Sequence, residues 1–162
     1  MSKERVSLLA GRNCAPLTSD EVRRAINTFL GLDRYVNVRY DESSRTVFRT
    51  SCDEKGEEYG EIVIGPDIYP GSSVVDPNSA LSLEAAAAHE LTHYYRWKDK
   101  IELAADKSEH LDEALTSLQA IMRYDKHLNE ADVKQLASDA FQRLRLYIHE
   151  LLEEKGDGPT KR

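Results

Sequence analysis

An α+β fold is predicted: a small antiparallel sheet of about three strands packed with several helices around one core. Three observations predict it. Between Tyr35 and Ile64 the apolar residues fall in short, β-branched runs separated by polar or glycine-containing turns. From about Ser82 the pattern becomes helical and stays so to about residue 154. The length, 162 residues, suits one domain that buries its own core.

Residues 1–17 lack clear periodicity and read as an N-terminal arm carrying Cys14. "TSDEVRRAINTFLG" then reads as a helix. Thr18 and Glu21 form a capping box, Val22, Ala25, Ile26 and Phe29 form an apolar stripe, and Gly31 is the expected stop. "YVNVRY", "RTVFRTS" and "GEIVIG" are three strands whose order suggests an antiparallel meander, with "EIVIG" at its edge. Residues 65–78 hold three prolines and two glycines and read as a loop long enough to wall a site. A helix from about Ser82 to Trp97 follows, with Ser82 as N-cap and Glu84 in the first turn, where the helix dipole favours an acid. A charged connection leads to a helix near 109–124, with Leu111, Leu115, Leu118 and Met122 along one face. The last helix, roughly 130–154, carries Val133, Leu136, Ala137, Ala140, Phe141, Leu144, Ile148 and Leu151 at helical spacing. Residues 18–155 therefore form a single domain, and 156–162 a frayed tail.

Composition excludes several functions. A net charge of −7 argues against a general nucleic-acid binder, since phosphate neutralisation needs a basic surface. Arg34, Arg39, Arg45, Arg49, Arg143 and Arg145 read as solvated charges. No apolar run reaches the roughly 18 residues of a membrane span. The opening residues carry too short an apolar run for a signal peptide, so a cytoplasmic location is expected. Two cysteines, Cys14 and Cys52, are too few for a disulfide framework and fit a reducing compartment.

The chemistry concentrates in "AAAAHELTHYYRW", residues 85–97. On a helix, positions i and i+4 lie one above the other, so His89 and His93 can hold one Zn2+ from the same side. Glu90 lies beside them, placed to act as a general base without being a ligand. A zinc hydrolase needs a third protein ligand, with the fourth position left to water. The downstream candidates are Glu102, Asp106, Glu109, His110, Asp112 and Glu113. Glu113 is preferred, because the 20 residues after His93 allow one helix, a turn and a second helix that returns the acid to the metal. Tyr94, Tyr95 and Trp97 pack the helix end, with one tyrosine or His110 as a candidate oxyanion partner. Cys52, His127 and His149 are read as bystanders.

"HELTH" followed 20 residues later by "EALTS" resembles the gluzincin metallopeptidases typified by thermolysin. In that family an aspartate four residues after the ligand glutamate supports the first histidine; the position here is Ser117, so support must come from elsewhere. The small size and single sheet resemble ImmA/IrrE-type peptidases. More closely, "AHELTHYYRWKDK" and the segment from "EHLDEALTS" to "FQRL" resemble the CapP-type peptidases of CapH–CapP regulatory pairs in bacterial CBASS anti-phage operons. The resemblance implies a zincin-like core and cleavage of a helix-turn-helix repressor after DNA damage. It also implies single-stranded DNA as the activating signal.

"GRNCAPL" is similar to the cysteine switch of matrix metalloproteinase propeptides. A Cys14 thiolate on zinc would take the water's position and hold the enzyme latent. The rival reading is a non-catalytic binding module stabilised by zinc. Such a site closes all four positions with protein ligands and has no neighbouring base.

Overall fold

The computed structural model describes residues 12–71 and 81–156; the expected arm and tail, and the loop from 72 on, lie wholly or partly outside them. Helix α1 (Ser19–Leu32) starts as expected: Thr18 Oγ1 accepts the Glu21 amide and Glu21 Oε1 accepts the Thr18 amide, both at 3.2 Å. Ala25 and Phe29 are fully buried. Gly31 does not stop the helix. It continues to Leu32 and is closed by Asp33, whose amide donates to the Phe29 carbonyl while its carboxylate accepts the Tyr35 amide.

The sheet differs from a meander. Strands β1 (Asn37–Tyr40), β2 (Val47–Cys52) and β3 (Glu58–Ile64) lie in the order β1-β3-β2. β2 and β3 form an antiparallel hairpin, from Val47 opposite Val63 to Cys52 opposite Glu58, but β1 runs parallel to β3, from Asn37 opposite Glu61 to Tyr40 opposite Ile64. The sheet is therefore mixed, and "EIVIG" is its centre rather than its edge. Ile62, Val63 and Ile64 of β3 are consecutive and fully buried, as suits a strand covered on both faces.

The 41–46 connection crosses the end of β3 at Gly65, where a Cβ would sit 2.0 Å from the Ser44 carbonyl oxygen, so only glycine fits. Asp67 then ties the short turn Pro66–Ile68 to the start of β2 by accepting both the amide and the hydroxyl of Thr46 at 2.7 Å.

Helix α2 (Leu83–Lys98) is the central helix and packs on the sheet, on α1, and on α3 (Glu109–Arg123) and α4 (Glu130–Gly156). Four buried alanines, Ala85 to Ala88, let its neighbours approach closely. Ser82 caps it by accepting the Ala85 amide at 3.1 Å, while its own hydroxyl donates to Asp132 of α4 at 2.6 Å.

The expected stripes of α3 and α4 are only partly buried. Leu118 and Met122 face solvent, Met122 at 78% exposure, and the covered side of α3 is Ala114, Thr116, Ser117 and Ala120. Small residues there allow α3 to lie close to α2, with Glu113 on the shared side. On α4, Leu136 and Ala140 are buried, but Ala137, Phe141, Ile148 and Leu151 are exposed. Among the described residues, no helix is long and apolar enough to cross a membrane.

Candidate metal centre

The side chains of His89 and His93 project from the same side of α2, as the four-residue spacing dictates, with ring centroids 4.8 Å apart. Glu113, in the second turn of α3, reaches both. Its Oε2 lies 2.9 Å from His89 Nε2 and its Oε1 3.2 Å from His93 Nε2, while the two Nε2 atoms are 3.1 Å apart. All three ligand atoms lie within 4.8 Å of one another. Ligands about 2.0–2.1 Å from a tetrahedral ion are separated by roughly 3.3 Å, so the cluster fits one small divalent cation. No family model, curated protein or solved structure matches the chain.

Electrostatics reflect three groups sharing one partly buried site. Burial alone would raise the Glu113 carboxyl, but hydrogen bonds from His89 and His93 outweigh it and hold it far below the usual carboxylate range. Burial alone would lower His93; the Glu113 hydrogen bond and charge instead push it up to about 9. A cation held by these three residues would take the place of that imidazolium proton.

Glu90 stays out of the cluster and points toward the sheet, where its Oε2 accepts the Phe48 amide of β2 at 3.1 Å. Burial raises its carboxyl above the ordinary range, opposed by the charges of His93 and His89. The contact exists because the Phe48 ring packs on Trp97 and Tyr94 of α2, with centroids 5.7 and 6.0 Å away, drawing β2 against the helix. Gly60 makes room for that ring, since a Cβ there would come within 2.7 Å of it.

None of Glu102, Asp106, Glu109, His110 and Asp112 joins the cluster. Asp112 pairs with buried Arg96 and accepts the Leu103 amide at 3.1 Å. His110 faces Glu150 of α4 at 3.3 Å. Cys52, His127 and His149 are exposed, and Tyr94 and Trp97 pack the end of α2.

Cys14 is also outside the group. It is exposed, and its thiol faces the Arg12 carbonyl at 3.6 Å. The arm is tied down at Asn13, whose amide donates to the Tyr69 carbonyl and whose side chain donates to the Pro66 carbonyl. Among the described arm residues, Arg12 rather than Cys14 approaches the site: it donates to the Leu81 carbonyl at 2.8 Å and stands within electrostatic reach of Glu90 and Asp139.

Sequence reasoning missed the support for His89. Its Nδ1 lies 2.8 Å from Ser117 Oγ, and the Ser117 hydroxyl donates to Asp139 Oδ2 of α4 at 2.6 Å. Arg143, one turn on, holds Asp139 through Nε at 3.3 Å and lies 3.8 Å from Glu113 Oε2. The available signal was an aspartate between Leu136 and Ala140 on the buried stripe, with an arginine four residues later.

Proposed function

We propose that this chain is a zinc-dependent endopeptidase with a zincin-like core and a CapP-type role. In that role it cleaves a helix-turn-helix repressor to switch on a bacterial anti-phage operon, and single-stranded DNA arising from damage relieves its latency. One observation carries the peptidase reading: His89, His93 and Glu113 converge as a two-histidine, one-carboxylate set, with Glu90 beside it and outside it. Bound there, Zn2+ would lower the pKa of a water toward about 7 and polarise a scissile carbonyl.

The protein's own groups supply the rest. Glu90, oriented by the Phe48 amide, is the base that takes a proton from water and passes it to the departing amine. The Phe48 amide points away from β3, so by alternation the amides of Thr50 and Cys52 lie along the same edge of β2, which no strand of the described residues pairs. That edge, not β3, is where an extended peptide pairs beside the site. The binding-module alternative requires a fourth protein ligand. Among the described residues the group contains three.

Purified protein should hold one zinc per chain and cleave a helix-turn-helix protein encoded beside it. A strong chelator should stop cleavage and added zinc restore it. Cleavage that survives complete metal removal would refute the assignment.

Latency through Cys14 belongs to the same proposal and requires the arm to shift, because the thiol here faces the Arg12 carbonyl. Cys14→Ser is expected to raise basal cleavage severalfold without changing metal content, and Cys52→Ser to do neither. Unchanged basal cleavage in Cys14→Ser would remove the switch and leave the peptidase reading standing.

A further inference from the structure

We propose that Asp139 is a positioning residue of the metal centre, acting on His89 through the hydroxyl of Ser117. Ser117 has one hydroxyl proton and two neighbours, His89 Nδ1 at 2.8 Å and Asp139 Oδ2 at 2.6 Å. An ionised carboxylate only accepts, so the hydroxyl proton goes to Asp139. The Ser117 oxygen then faces His89 as an acceptor, and Nδ1 must carry the imidazole proton. Nε2 is the nitrogen turned toward Glu113 and His93, and any proton it shares with Glu113 is the one a bound cation would displace.

Two features lock this polarity. Ser117 is fully buried, so water does not compete for its hydroxyl. Arg143 donates to both oxygens of Asp139, from Nε at 3.3 and 3.4 Å, which keeps that carboxylate an acceptor. A serine carries no carboxylate, so α4 delivers one from 22 residues away through the serine hydroxyl. The next turn of α4 places Arg143 beside Glu113, so one helix supports both a histidine and the carboxylate of the centre.

The inference rests on the metal reading of His89, and its test separates the two. Asp139→Asn keeps size and packing, but its amide can donate to Ser117. That frees the hydroxyl to donate to His89 Nδ1 and favours the wrong tautomer, as asparagine does in the serine-protease triad. Nitrogen-15 NMR of the metal-free full chain should show a proton on His89 Nδ1 in the parent and its loss from Nδ1 in Asp139→Asn, whatever proton Nε2 shares with Glu113. Zinc affinity, measured by chelator competition, should fall about 10- to 100-fold at an unchanged thermal midpoint. Adding Ser117→Asp to Asp139→Asn places a carboxylate directly on Nδ1 and should restore both readouts. An unchanged tautomer in Asp139→Asn, or failure of folded Ser117→Asp/Asp139→Asn to recover affinity, would overturn the proposal. A parent protein that shows the Nδ1 proton yet binds no zinc would refute the metal reading alone.

Discussion

Glu90→Gln is expected to remove peptide hydrolysis while leaving the metal and the fold in place. The glutamine carbonyl can still accept the Phe48 amide that Glu90 accepts at 3.1 Å, so β2 keeps its seat against α2. The ligand atoms belong to His89, His93 and Glu113, so the cation keeps its donors. What disappears is the group that takes a proton. General-base catalysis contributes about 10²- to 10⁴-fold, equivalent to about 3–5 kcal/mol of barrier. The fall should therefore appear in kcat, with metal content and thermal midpoint at parent values. Near-parent cleavage by Glu90→Gln would show that the base lies elsewhere.

The largest effect on stability is expected from Asp112→Ala. Arg96 is almost completely buried, its side chain 4% exposed, and Asp112 is its charge partner. Gln119 and the Ile101 carbonyl also accept from Arg96, at 2.6 and 3.3 Å, but neither carries a charge. Asp112→Ala leaves a buried guanidinium uncompensated, which costs about 3–5 kcal/mol. It also frees the Leu103 amide and loosens the first turn of α3. For a domain of this size the thermal midpoint should fall by on the order of 10 °C. Because Glu113 is the next residue, metal binding should weaken as well, without Asp112 touching the ion. The double variant Arg96→Met/Asp112→Leu should recover much of the loss, since a packed apolar pair replaces a buried ionic one. A midpoint for Asp112→Ala within a degree or two of the parent would refute this role.

The residues legible from sequence are those whose geometry is local. His89, Glu90 and His93 needed only a helix under them. That helix is announced by Ser82, the alanine run and the four-residue spacing, all of which act within one or two turns. The capping box at Thr18 and Glu21 held for the same reason. Glu113 is less local, but its spacing and flank position sufficed because α3 is the next helix in the chain and packs directly on α2.

The sheet order, the open edge and the support behind His89 were decided by the tertiary structure. The run Ile62, Val63, Ile64 reads as apolar whether the strand is central or at an edge, and nothing short-range says that β1 passes to its far side. The same limit applies to the helices. Spacing put Leu118 and Met122 on one face of α3 and Glu113 on another, yet the face that α2 covers carries Ser117 and Glu113. Asp139 entered the site from the next helix, 22 residues beyond Ser117, and among the described arm residues Arg12 rather than Cys14 turns inward beside Asn13, which is tied to Tyr69. Periodicity determines which residues share a face of one element. Which face is covered, and by what, depends on contacts between elements far apart in the chain, and those form only when the whole core closes.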